Sequence, residues 1–273
     1  MKSSVRNQRG DDFLCSKKMK DFEKEGVGLK QLYQKSEIGF SIFWIAVYIV
    51  GSSVADQLSE SIGITKLVTF AVHLIMSVAA FLWIRKNRLQ KEYGLCRPEA
   101  AASKFLYYVP LVMLVSCNVW FGMTWNMSVH ESLCYVGSMI CVGFLEEIIF
   151  RGFLFKAMSR DNVTAAILVS SITFGIGHII NLFNGSGAEV VANLCQVCYA
   201  TAFGFLCVII FHRGKSLLPC IAAHSTMNAL SAFANEAGRS KQTEIWTAVY
   251  LTVVAAGYAL ILLRTLPQHK KVF

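Results

Sequence analysis

The sequence predicts an all-α fold, a polytopic membrane bundle of about eight transmembrane helices. Three observations predict it. Of the 273 residues, 55% are hydrophobic and 16% charged, against about 25% charged in an ordinary soluble domain, and mean hydropathy is +0.49. The apolar residues gather into runs of roughly 17 to 25 residues, the length of helix that crosses ~30 Å of hydrocarbon. Basic residues also alternate from one connection to the next. With the N-terminus inside, 22 of the 26 Lys and Arg fall in cytoplasmic segments, Lys66, Arg239 and Lys241 fall outside, and Arg151 lies within a run. Such asymmetry sets helix orientation and places both termini in the cytoplasm.

Residues 1–37 form a cytoplasmic N-terminal tail with nine Lys or Arg. Part of it, Phe22 to Tyr33, is either a surface helix or a solvated stretch. No apolar h-region or cleavage site marks a signal peptide. The transmembrane domain covers 38–263. Its runs are 38–55; 67–84, closed by Arg85 and Lys86; 105–123, with Pro110 inside; 132–158; 164–182; 190–211; 216–234; and 245–263. A proline inside a membrane helix is tolerable where neighbouring helices satisfy the freed carbonyl. Residues 183–188 suit an extracytoplasmic turn. Residues 264–273 are a short basic cytoplasmic C-terminus.

A net charge of +9 suggests nucleic acid in a soluble protein. Beside membrane runs it points to cytoplasmic loops facing anionic lipid, so lipid and no nucleic acid is the expected partner. The nine cysteines are odd in number and mostly inside apolar runs, unlike a disulfide framework. Cys195 and Cys198 lie three apart with no second pair, and packing explains them best.

Ionisable residues inside membrane runs cost at least ~2.5–3.5 kcal/mol and face the bundle interior or a wet cavity. Glu146, Glu147 and Arg151 share the fourth run. His178 is in the fifth, His224 and Asn228 are in the seventh, and His73 is in the second. Glu147 and Arg151, four apart, share a helix face and can pair. A helix-stapling ion pair explains those two but leaves Glu146, turned by about 100°, without a partner on its own helix. His178 or His224 could serve it. A carboxylate and histidines in a low-dielectric site are ingredients of water activation or of metal binding. Phe174 lies one turn before His178, and Gly175 and Gly177 allow close approach of a helix or a substrate. His178 alone fits a hydrogen-bonded core histidine better than a functional one, and the His224–Asn228 pair alone fits interhelical glue. On a simple helix count Glu146 and His224 lie roughly 15 Å from the inner surface, with His178 deeper.

The three elements in order, EExxxR (Glu146, Glu147, Arg151), FxxxH (Phe174, His178) and HxxxN (His224, Asn228), on three membrane runs, resemble the CPBP family. This is the CAAX protease and bacteriocin-processing, or Abi, family. The resemblance covers about residues 130–235, the motif-bearing core, and all three motifs match. It implies a bundle of about eight helices in a membrane, here expected to be a bacterial cell membrane, and intramembrane proteolysis of a membrane-associated protein or peptide. It implies that Glu146 and His178 activate water, that His224 and Asn228 form the oxyanion hole, and that Glu147, Arg151 and Phe174 support them.

No nucleophilic Ser or Cys sits in a Ser–His or Cys–His signature, and HExxH is absent. Direct attack by water without a cofactor is therefore favoured. A divalent metal such as zinc, held by Glu146, His178 and His224, stays open as the other mechanism. A non-catalytic membrane protein of bacteriocin immunity or signalling, and a transporter, are the rival functions. The sequence shows no internal repeat of the kind many transporters carry.

Overall fold

A computed structural model describes residues 28–99, 108–183 and 189–266. Helix α1 covers 28–35, so half of the expected tail helix lies within the described residues and Phe22 to residue 27 outside them. The turn at 184–188 and the C-terminus from 267 also lie outside. Ser36 separates α1 from α2 (Glu37–Ile62), accepting a hydrogen bond from the Gly39 amide while Glu37 sits in the positive first turn. Helix α3 is Leu67–Lys86, with Arg85 and Lys86 at its negative end. Helix α4 is Tyr108–Val115.

Helix α5 runs Val129–Ser159. A Ser128–Glu131 capping box starts it. Helix α6, Val163–Leu182, starts at Asn162, whose side chain accepts from the Ala165 amide at 3.0 Å. Helices α7 (Val190–Gly214), α8 (Leu218–Leu230, with a proline in its first turn) and α9 (Lys241–Thr265) complete the bundle.

Six of these helices (α2, α3, α5, α6, α7 and α9) are long and apolar enough to cross a membrane. The protein is an integral membrane helical bundle. The count of eight is approximate, because the third and seventh runs form shorter helices. Among the described residues α4 has 8 residues and α8 has 13, about 12 and 20 Å at 1.5 Å per residue. The third run breaks at Ser116, a 3₁₀ turn follows at Cys117–Val119, and the chain returns through a loop. That loop is tied to the end of α8: the Asn118 side-chain amide donates to Met227 O at 2.7 Å, Asn126 to Ala234 O at 2.9 Å, and the Thr124 amide to Phe233 O at 3.0 Å.

The outer helices are inverted relative to a soluble protein. Val50, Ile75, Leu133 and Val253 are each more than 60% exposed, a surface suited to lipid tails. The interior is built on α5 and α7, the most deeply buried spans. Leu145, Ile148, Ile149, Leu206 and Ile209 are fully buried there. Eight described cysteines are free, with Cys195 and Cys198 among them.

Two glycines let helices approach around the site. A Cβ on Gly143 of α5 would stand 2.5 Å from the Ser225 amide nitrogen of α8, and one on Gly175 of α6 would stand 2.9 Å from the Thr201 amide nitrogen of α7. Gly175→Ala should therefore lower stability by about 1–3 kcal/mol through overpacking, measured by thermal unfolding of the detergent-purified protein. Gly177 differs. No atom lies within 4 Å of its would-be Cβ, and it borders a cavity instead of a helix.

Candidate active site

The middle of α5 changes its winding where the chemistry lies. After Glu146 the α-helix gives way to a π-helical stretch, Glu147–Phe155, in which all nine residues are buried. Wider π turns are rare and recur at functional sites. Arg151 stays beside Glu147, Nη1 to Oε1 at 3.1 Å, with both side chains 0% exposed. The Arg151 guanidinium also lies over the Phe174 ring, 4.0 Å from its centroid, a cation–π contact strengthened by desolvation.

His224 of α8 stands between the two glutamates. Its Nδ1 is 2.9 Å from Glu147 Oε1 and its Nε2 is 3.4 Å from Glu146 Oε2. It is 2% exposed and is packed edge-on by Phe174 and Phe203. Glu147 thus holds both Arg151 and His224, a second role beyond the expected pairing with Arg151. A carboxylate behind one ring nitrogen fixes the orientation of the imidazole.

Glu146 turns the other way, toward open space. Its Oε1 accepts a 2.6 Å hydrogen bond from the Tyr48 hydroxyl on α2, leaving Oε2 for His224 and the cavity. Tyr48 stacks on His73, with centroids 5.8 Å apart and planes 30° apart. His73 is held at both nitrogens, Nε2 to Ser52 Oγ at 2.9 Å and Nδ1 to Ser138 Oγ at 3.0 Å.

His178 closes the far side. It lies where α6 tightens into its last, 3₁₀ turn, His178–Leu182. Its Nδ1 is 3.1 Å from Phe174 O. A carbonyl oxygen only accepts, so Nδ1 carries the proton, and in the neutral ring Nε2 is left as an acceptor. Asn193 of α7 donates to His178 O at 2.8 Å and anchors that turn. Phe174 touches His178, His224 and Arg151 alike.

Glu146, His178 and Asn228 line one cavity of about 440 Å³, together with Tyr48, His73 and Phe174. His224 and Glu147 stand behind Glu146. The depth mismatch expected from a simple helix count does not arise, since His178 reaches the same cavity as Glu146. The cavity extends past Ser52 to the Asp56–Lys66 ion pair of 2.7 Å at the α2–α3 turn, which gives water a polar path inward.

Tyr48 carried no signal in the sequence, because a lone tyrosine in an apolar run is commonplace, whereas His73 stood out without a role. A further buried group, Glu147, Cys207 and Cys220, brings its donor atoms within 4.8 Å of one another. Two of the three were expected to be packing residues, and Cys220 Sγ donates to Cys207 O at 3.4 Å.

The fold and this site define a polytopic membrane protein with a carboxylate–histidine cluster enclosed in its helices. Residues 128–230, the stretch that carries all three motifs, match the family model described as Type II CAAX prenyl endopeptidase Rce1-like. Over 97 residues the chain is 35% identical to the "Putative membrane peptidase YdiL" of Bacillus subtilis (strain 168), covering 35% of this chain and 34% of that protein. It is 21% identical over 189 residues to the "UPF0719 transmembrane protein" of Aquifex aeolicus (strain VF5), covering 68% of each. No solved structure matches the chain.

Proposed function

We propose that the protein is an intramembrane endopeptidase that hydrolyses a peptide bond of a membrane-associated protein or peptide, with both its termini in the cytoplasm. The observation that carries this reading is the Glu146 carboxylate, gripped at one oxygen by Tyr48 and open at the other to a cavity that His178 and Asn228 also line. A water in that cavity gives its proton to Glu146 Oε2 and is aimed by the acceptor Nε2 of His178. The water oxygen attacks the scissile carbonyl carbon, and the charge developing on the carbonyl oxygen meets the Asn228 amide; as the C–N bond then breaks, Glu146 passes its proton to the leaving amine nitrogen. His224, with Nδ1 donating to Glu147, adds a second donor at Nε2 when its ring carries both protons. At 3.4 Å from Glu146 it is beyond the usual N–H···O range, so a carbonyl oxygen can share it. Donors already fixed before reaction stabilise such an oxyanion strongly in a dry site.

Asn228→Ala should lower turnover by about 10²–10³-fold, the loss usual for one oxyanion donor, with substrate affinity largely kept. Tyr48→Phe should lower kcat by about tenfold or less, as expected for loss of one hydrogen bond to the carboxylate it orients. Both are measured in liposomes holding the full chain and a membrane-anchored peptide library.

A metal-assisted version draws on one observation. A separation of 3.4 Å between His224 Nε2 and Glu146 Oε2 suits two ligands of one ion, with the Glu147 carboxylate behind the imidazole fixing its orientation. A zinc ion there would supply a Lewis acid and an activated water, held by Glu146, His224 and His178. We favour the metal-free route because Tyr48 already occupies Oε1 of Glu146 and Asn228 supplies a ready oxyanion donor. Activity should survive phenanthroline treatment followed by removal of bound metal. Loss on that treatment with recovery on added zinc would install the metal route.

A further inference from the structure

Four membrane-length helices end around one small basic pocket that shares no lining residue with the Glu146 cavity. The pocket encloses about 140 Å³ and is lined by Lys91, Lys156 and Lys215, by Glu92, and by the aromatic walls Phe155 and Phe211. Lys91 follows α3, Lys156 is in the last turn of α5, α6 begins beside it at Val163, and Lys215 caps α7. The ends of spanning helices mark the headgroup level of a bilayer. The volume is that of about four or five waters, too small for a peptide and of the size of a phosphate with its glycerol edge.

The charge of the lining points to an anion, with three lysines against one glutamate. Glu92 pairs with Lys156 at 3.2 Å, which leaves Lys91 and Lys215 to give the pocket a net positive charge, with Glu99 the further carboxylate acting on Lys215. Burial pulls the Lys215 ammonium below its ordinary pKa and neighbouring Lys156 lowers it further. An anion between the lysines would relieve that repulsion.

Lys215 also has φ +57°, the left-handed region in which a helix C-cap favours glycine. Its place is locked by neighbours: its amide donates to Phe211 O at 2.8 Å, and Ser216 Oγ donates to Cys96 O at 2.6 Å. This turn places the Lys215 side chain at the pocket wall.

We propose that this pocket binds the phosphodiester headgroup of an anionic phospholipid, docking the ends of α3, α5, α6 and α7 to one leaflet. Basic pockets between membrane helices recognise such headgroups. The test uses the full chain, purified in detergent and delipidated, with its thermal unfolding midpoint followed during titration with phosphatidylglycerol, phosphatidylcholine or inorganic phosphate. Phosphatidylglycerol should raise the midpoint and phosphatidylcholine should not.

Lys215→Gly is the decisive variant, since it removes the ammonium while relaxing the left-handed residue, so the unliganded midpoint should hold or rise. Lys215→Gly and the exposed-site variant Lys91→Gln should each raise the half-maximal phosphatidylglycerol concentration by about fivefold, the effect of one cation near an anionic surface. Unchanged titration in both variants would overturn the proposal, as would an equal response to phosphatidylcholine. A response to inorganic phosphate matching that to phosphatidylglycerol would replace the lipid with a free anion. None of these readouts depends on proteolysis.

Discussion

Glu146→Gln should reduce peptide hydrolysis by about 10²–10⁴-fold, the contribution typical of a positioned general base. The amide is nearly isosteric with the carboxylate and can still accept from Tyr48, so the fold and the cavity should survive. What it cannot do is take the proton of water. The expected kinetic signature is a fall in kcat with little change in KM, because the lost interaction acts in the transition state and not in the bound ground state. The same liposome assay should show the unfolding midpoint of the variant within a few degrees of the parent. A variant that retains near-parental turnover would remove Glu146 from the reaction.

The second large effect falls on stability. Arg151 and Glu147 are both fully buried, and among the described residues Glu147 Oε2 and the guanidinium nitrogens make no hydrogen bond beyond that ion pair. Deleting one partner of a buried pair leaves an uncompensated charge and costs about 3–5 kcal/mol. Arg151→Met should cost that much, because only His224 would remain to oppose Glu147. The double variant Arg151→Met/Glu147→Gln should recover most of the loss, since no lone charge is left, and their non-additivity measures the coupling. Activity should not recover in the double variant, because His224 would lose the carboxylate that orients it. Thermal unfolding of the four proteins in one detergent checks the first point, and the peptide assay checks the second.

The helices were legible because hydrocarbon imposes length and polarity on every span. Runs at 67–84, 164–182 and 190–211 became α3, α6 and α7 with ends shifted by no more than a few residues. Hydropathy could not tell a span from a shorter apolar helix. Both 105–123 and 216–234 are long apolar runs, yet among the described residues α4 and α8 are 8 and 13 residues long. Asn118, Asn126 and Pro219 are the local clues to those shorter helices.

The site was legible where ionisable groups stood in apolar surroundings, as at Glu146, His178 and His224. The features that escaped depend on geometry between distant segments. Tyr48 meets Glu146 across 98 positions of the chain. The π-helical stretch over Glu147–Phe155 has no signature in EIIFRGFLF. His224 reaching both glutamates needs α8 to touch α5 at Gly143, a contact that only packing reveals.

The most direct test compares membranes containing the parent protein with membranes containing Glu146→Gln at equal abundance, by mass spectrometry of newly formed peptide termini. The account predicts membrane-associated peptides cut only by the parent, with oxygen from ¹⁸O-labelled water in the new carboxylate. Identical sets of termini from the two membranes, with the parent protein folded and present, would contradict it.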